Sequence, residues 1–275
     1  MDLHDLPTNT VPTANAAGAV DAHAAWPALL QDATQPYRQA GRFAWHFARG
    51  KLGRDPVFRA LLERGWLSPA SAAPVRVLDI GCGQGLMASL LATCAQHSQQ
   101  GRWPAAWGTA PKALQYTGID LMPRDIARAE RALGGMFANV PVQHRFICDD
   151  MCRAVLPPSD LVVILDVLHY VDHAAQADVL ARVRQSLGQQ GRLLLRVGDM
   201  RDHWRFAVSQ WVDRTVTRIR GHQVAPTWGR ALPQWQALLQ SLGFSVQAIN
   251  MSQGTPFANV LLVCEVNGQS PKAPA

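Results

Sequence analysis

The stretch Val77-Leu78-Asp79-Ile80-Gly81-Cys82-Gly83-Gln84-Gly85 decides how this chain folds. It closes a β-rich run, Val75 to Ile80, breaks into glycines at every second position, and leads straight into a helix-forming segment, Leu86 to Cys94. Strand, glycine turn and helix in direct succession then set a pattern that repeats. Strands are read at Tyr116 to Ile119, Val142 to Ile147, Asp160 to Leu165 and Arg192 to Val197, with helices at Asp125 to Leu133 and Ala174 to Leu187. A helix at Trp235 to Leu242 and two last strands, Phe244 to Asn250 and Asn259 to Val266, complete the chain. Alternating strands and helices predict an α/β fold: a doubly wound, mostly parallel seven-stranded sheet with an antiparallel edge hairpin.

Outside this frame the pattern changes. Residues 1–35 are rich in Ala, Thr, Pro and Asn and read as a mobile tail, with at most a short helix around Ala22 to Gln31. Residues 36–74 read as an accessory helical lid. It holds one helix from Tyr37 to Ala48 and another opened by Asp55-Pro56 through Leu62, joined by a Gly50 to Gly53 hinge. The main domain then spans 75–266, with insertions at about 97–115 and 200–230 and a tail at 267–275. The second insertion carries Trp204, Val208, Trp211 and Ile219 at helical spacing.

Composition narrows the class. With 275 residues, 48% of them hydrophobic, the chain can bury a large core, which excludes disorder as its main state. The first twenty residues lack the basic head and apolar run of a secretory signal, and the apolar run Leu161 to Leu168 is far too short to span a bilayer. Five cysteines without a CxxC pair suit free thiols in a cytoplasmic setting. Cys148 and Cys152 flank Asp149 and Asp150, but no nearby His or Cys completes a metal set, so no metal is expected. The net charge of +6 is uneven. Residues 36–66 carry seven basic and two acidic side chains, and residues 196–230 carry seven and three, so the remainder is acidic. Two basic stretches can serve an anionic partner or can be solvated surface.

Glycines at a strand-to-helix turn let the backbone approach a ligand closely, and the helix N-terminus behind them offers free N–H groups. A nucleotide-like ligand follows. The dinucleotide fingerprint GxGxxG fails because residue 86 is Leu; the spacing is DxGxGxG, from Asp79 to Gly85. That pattern resembles motif I of class I S-adenosylmethionine-dependent methyltransferases, and the resemblance extends in order from about Val75 to Val266. It implies that Asp79, Gly81, Cys82, Gly83 and Gly85 cradle S-adenosylmethionine. Asp120, at the end of Tyr116-Thr117-Gly118-Ile119-Asp120, would accept from the ribose hydroxyls beside Leu121. Asp150 would accept from the adenine amine and Met151 lie against the ring, although Asp149 stands where the family often has Gly. The run Asp166-Val167-Leu168-His169-Tyr170 would line the methionine and the methyl-transfer opening.

The residues leave catalysis open. His169 serves either as a base, since neutral imidazole accepts a proton near neutral pH, or as a packed histidine; Tyr170 either orients substrate or packs. Tyr37, Arg38, His46 and Arg49 are candidates for a lid over the cofactor, and Trp204 and Trp211 for an aromatic wall. The Asn- or Asp-Pro-Pro-aromatic signature of nucleic-acid amino-methylation is absent, as is a Pro-Cys pair for cytosine C5 chemistry, so nucleic acid is a poor acceptor and a small molecule leads. The Arg-rich helices and the segment from Gly50 to Phe58 are also similar to methyltransferases encoded with bacterial polyketide or aryl-polyene pathways. That implies an aromatic or polyketide-type acceptor and an acidic carrier protein as partner. Two rivals remain: a nucleic-acid-binding or non-catalytic S-adenosylmethionine-binding protein that uses the basic stretches, and an NAD(P)-dependent oxidoreductase.

Overall fold

A computed structural model describes residues 20–68, 74–111, 114–140, 142–198, 228–252 and 259–266. Its seven strands are β1 (Val75–Ile80), β2 (Leu114–Asp120), β3 (Val142–Cys148), β4 (Ser159–Leu165), β5 (Leu187–Gly198), β6 (Phe244–Asn250) and β7 (Asn259–Val266), in the order 3-2-1-4-5-7-6. β1 to β5 pair in parallel, while β7 runs antiparallel between β5 and β6. The doubly wound sheet and its hairpin edge are thus as the sequence reads.

Period-two alternation buries both faces. Val77, Tyr116, Val163 and Leu194 point to one core, and Leu78, Ile80, Val162, Ile164 and Leu195 to the other. The first core is covered by α1 (Ala22–Thr34), α2 (Arg42–Arg54), α3 (Pro56–Glu63), α4 (Leu86–Gln99) and α5 (Pro123–Leu133). The second is covered by α6 (His173–Ser186) and α7 (Leu232–Ser241). Because β1 and β4 are neighbours whose crossovers leave in opposite directions, their C-terminal ends open a crevice, the usual ligand position in such sheets.

Four boundaries differ from the sequence reading, each for a packing reason. Residues 22–34 are no tail: Asp21 caps α1, and Ala25, Trp26, Leu29 and Ala33 form a stripe that packs on α4. The Gly50 to Gly53 hinge is also absent, since α2 runs through both glycines. Gly53 permits close approach to α1, for a Cβ there would lie 3.1 Å from Leu30 Cδ2. The break comes instead at Asp55, where the following proline disfavours helix and the Asp55 side chain accepts from Val57 N at 3.1 Å to cap α3. Tyr37 sits in a 3-10 turn (Gln35–Arg38) rather than opening α2. The first insertion is shorter than 97–115, because α4 continues to Gln99 with His97 buried against Asp32 of α1 at 2.8 Å. The insertion at 200–230, with Trp204 and Trp211, and the tail at 267–275 lie almost wholly outside the described residues; only residues 228–230 are placed.

Candidate active site

The crevice floor is the turn after β1. Gly81 N and Cys82 N donate to Ile119 O at 2.8 and 3.1 Å, which ties the turn to β2. Gly81 has φ +77°, and a Cβ there would lie 2.3 Å from Val167 Cγ1; Gly85 has φ +73°, and its Cβ would meet Phe146 at 2.9 Å. Both conformation and space therefore require glycine. Tyr37, fully buried, donates its hydroxyl to Gln84 O at 2.9 Å. It supports the turn from behind as part of the core, which corrects its reading as a lid residue. Arg38 and Arg49 of the proposed lid are exposed and stack on Trp45, and His46 is exposed.

Two carboxylates face this turn. Asp120 accepts from Gly83 N on one oxygen and Met122 N on the other, both at 2.8 Å, which fixes the carboxylate beside the turn. Asp79 is buried at the end of β1 and accepts from Tyr116 Oη at 2.6 Å. Burial pushes its carboxyl up to about 7; the phenol hydrogen bond works against this, and the Asp120 charge adds to it. Burial likewise pushes the Cys82 thiol well up, which leaves it a wall rather than a nucleophile.

These residues fit S-adenosylmethionine by the chemistry of the donor set. A buried carboxylate held by a phenol is stabilised by a cation, and a carboxylate with its two acceptor oxygens suits a vicinal diol. Asp79 would take the cationic end of the cofactor and Asp120 its ribose. In the turn after β3, which would face the adenine, Asp150 Oδ1 accepts from Cys152 N at 2.9 Å, and Arg153 approaches Oδ2 at 3.7 Å. Asp149 accepts from Asp150 N at 2.7 Å, so the pair builds its own turn. Met151 is half-buried and Leu121 largely exposed. The turn is also held from α6: Arg182 donates to Met151 O at 2.6 Å and Ala154 O at 2.9 Å, and is itself steadied by Asp178 at 2.9 Å. Arg182 carries no sequence signal, because its acceptors are backbone carbonyls some 30 residues upstream.

Past β4 the construction changes. Asp166 is the one non-glycine residue with positive φ among the described residues, at +61°. Its carboxylate is gripped by Arg196 of β5 and by Lys51 of α2 at 3.3 Å. Arg196, whose side chain has no exposure, also donates to Asp55 at 2.5 Å, and Lys51 reaches Asp55 at 2.8 Å. Against burial, the two cations hold both carboxylates below the ordinary range, Asp55 well below it, which keeps them ionised. Asp166, which the motif assigns to the methionine wall, is thus committed to an ion cluster that joins the accessory helices to the sheet. Sequence reasoning missed Arg196, whose partners lie 30 and 141 residues away, and Lys51, which joins Asp55 four residues on to Asp166 115 residues away. His169 is largely buried and stacks obliquely on Tyr170 at 4.3 Å; burial lowers its pKa and the Asp166 charge raises it. Burial dominates, so the imidazole is neutral at neutral pH. Gln176 of α6 fastens this loop by donating to Leu168 O, Val171 O and Trp228 O at 3.1, 3.0 and 2.8 Å.

With this geometry in place, comparison with known proteins is direct. A family model described as a methyltransferase domain matches residues 44–249. The chain belongs to that family. Its fold is that of the class I S-adenosylmethionine-dependent methyltransferases, whose cofactor the carboxylates and glycine turn fit. It is similar to a carboxy-S-adenosyl-L-methionine synthase of Hydrogenovibrio crunogenus, 30% identical over 61% of this chain and 64% of that protein. It is also similar to a trans-aconitate 2-methyltransferase of Methylobacterium nodulans, 30% identical over 46% of this chain and 40% of that one. The match therefore spans less than two thirds of either relative. Among solved structures, the magnesium protoporphyrin IX methyltransferase of Synechocystis with bound S-adenosylhomocysteine has the same fold, with a TM-score of 0.53 and 16% identity over 88% of this chain and all of that one. No helix among the described residues is long and apolar enough to cross a membrane, and no group of three His, Cys, Asp or Glu residues among them is placed to hold a metal.

Proposed function

We propose that this methyltransferase moves a methyl group from S-adenosylmethionine to a small-molecule acceptor at the mouth between β1 and β4. The observation that carries the reading is Asp120, at the end of β2, held by Gly83 N and Met122 N directly beside the glycine turn. The cofactor would supply a methyl group on a sulfonium, so the remaining task is alignment and exclusion of water. Asp79 and Asp120 orient the nucleoside from below, Arg182 holds the adenine-side turn, and Val167 packs on Gly81 to close the floor. His169, kept neutral, receives a proton on its imidazole when the acceptor carries one that must leave. A small carboxylic acid is a sensible first acceptor because one relative is named for trans-aconitate; aromatic acceptors come next. The five free cysteines support a reducing, cytoplasmic setting.

Titration calorimetry with S-adenosylhomocysteine tests the cofactor half. Wild type should bind, and Asp120→Ala should lose about 10- to 100-fold, the equivalent of about 1.5–3 kcal/mol for hydrogen bonds to a charged group. Equal affinity in the two proteins would remove Asp120 from the ribose site. Mass spectrometry after incubation with methyl-labelled S-adenosylmethionine and a panel of acids and phenols tests the transfer half. A labelled acceptor supports it, whereas a carboxylated nucleoside in place of S-adenosylhomocysteine would move the chain to the synthase reaction.

A further inference from the structure

Among the described residues, Gln84 is the one side chain that buries both a hydrogen-bond donor and an acceptor with no partner for either. It is 1% exposed, so bulk water does not reach Oε1 or Nε2. Its backbone is fixed on every side. Gly83 N before it donates to Asp120, Gly85 after it is held left-handed, and Tyr37 Oη donates to the Gln84 carbonyl at 2.9 Å. A buried amide with nothing to bond is destabilising, and an apolar side chain of the same shape would not carry that cost. A native interior seldom keeps such a group unless a ligand completes it.

Its place narrows what that ligand must be. Gln84 stands in the turn after β1, and the next residue, Gly85, starts α4 without a side chain to cap it. The start of a helix favours negative charge. Asp79, which favours a positive one, belongs to the same buried neighbourhood. Burial first, then the nearby Cys82 and Asp79, push the Tyr37 phenol well up against the opposing Ser89 hydroxyl, and that phenol is the group bonded to Gln84 O. The ligand must therefore bring a donor and an acceptor side by side, with a cation for Asp79 and an anion for the helix start. An α-amino acid group has all four properties. We propose that Gln84 binds the amino-acid end of the cofactor, with Nε2 donating to its carboxylate and Oε1 accepting from its ammonium. This rests on the cofactor reading above and gives the carboxylate a partner that Asp79, Asp120 and the turn after β3 do not supply. One consequence is specific to it. The ligand-free protein carries an amide that only the ligand satisfies, so stability and affinity respond to its removal with opposite signs.

Two measurements on the full chain test this. Gln84→Met keeps the length of the side chain and removes both polar atoms. Without ligand, its thermal midpoint should rise by about 2–4 °C, because a buried unpaired amide is gone. In titration calorimetry, its affinity for S-adenosylhomocysteine should fall by at least about tenfold. Its affinity for methylthioadenosine, which keeps the nucleoside but has no amino-acid end, should stay within about threefold of wild type. Gln84→Leu replaces the first variant if that one does not fold. A midpoint that drops together with affinity for both ligands makes Gln84 a structural residue and overturns the proposal. So does unchanged affinity for S-adenosylhomocysteine in the variant when wild type binds it. Failure of wild type to bind either ligand is a different result: it overturns the cofactor reading itself, and this inference with it.

Discussion

The two walls of the crevice solve the same problem with different materials. On the β1–β2 side, ligand recognition is built from backbone: a turn of positive-φ glycines, with Asp120 bonded to main-chain N–H groups and Asp79 to a single phenol. On the β4–β5 side it is built from side chains, with Arg196, Lys51, Asp55 and Asp166 in one cluster and Gln176 stitching three carbonyls. The first wall ties Asp120 to main-chain N–H groups and Asp79 to a phenol, which suits the cofactor roles proposed for them. The second satisfies its carboxylates internally and so spends them on rigidity. The difference teaches that acids at neighbouring strand ends can be held by unlike partners, one by main-chain N–H groups and the other by buried cations that make it a brace.

The sharpest way to break this contrast is Arg196→Met. Two partly buried carboxylates would be left with Lys51 as their one cation among the described residues, and removing one partner of a buried ion pair costs at most about 3–5 kcal/mol. Urea unfolding followed by circular dichroism should show that loss; a change below about 1 kcal/mol would mean that the cluster is no brace. Arg182→Met should have a smaller effect of the opposite kind. The adenine-side turn loses two donors, so affinity for S-adenosylhomocysteine should fall by about fivefold to tenfold, with Arg182→Lys partly restoring it. An unfolding midpoint that drops while affinity holds would reassign Arg182 to stability.

The smallest expected effect is in pH. Asp79 is raised in the folded chain to about 7 from an ordinary 3.8, so folding favours its protonated form. The sign follows: its contribution to stability is intact below about 4, falls as pH rises, and is fully lost above about 7. Asp79→Asn should flatten that slope in thermal melts. A cationic ligand placed beside Asp79 favours its ionised form, so binding at about pH 6 should release a fraction of a proton in wild type and none from this site in Asp79→Asn. Calorimetry in two buffers of different ionisation enthalpy reads this directly, and proton uptake by wild type would place the cation elsewhere.

Most of the frame was legible because its causes are local. Period-two apolar runs gave each strand and alternating helices gave the parallel sheet, while the hairpin edge followed from two consecutive β-rich runs at the end. Misplaced boundaries came from contacts that composition does not carry. Residues 22–34 look like tail until α4 is there to bury Leu29 and Ala33, and the glycines of α2 look like a hinge until α1 is seen against Gly53. At the crevice, the placement of Asp79, Asp120 and the glycines at the strand ends was readable because the turn imposes its own residue types at fixed spacing. Tyr37 was placed on the wrong side of that turn, and Arg182, Gln176, Lys51 and Arg196 were missed, because nothing in their neighbourhoods marks them.

Sequence alone therefore determined the sheet, the glycine turn and the acids at the strand ends, since backbone conformation and side-chain period act over a few residues. Tertiary structure decided which acids are held by main-chain N–H groups and which are locked by cations, and that the accessory helices belong to the core. Those outcomes depend on groups brought together across as many as 141 residues, where charge and burial are set by the whole fold.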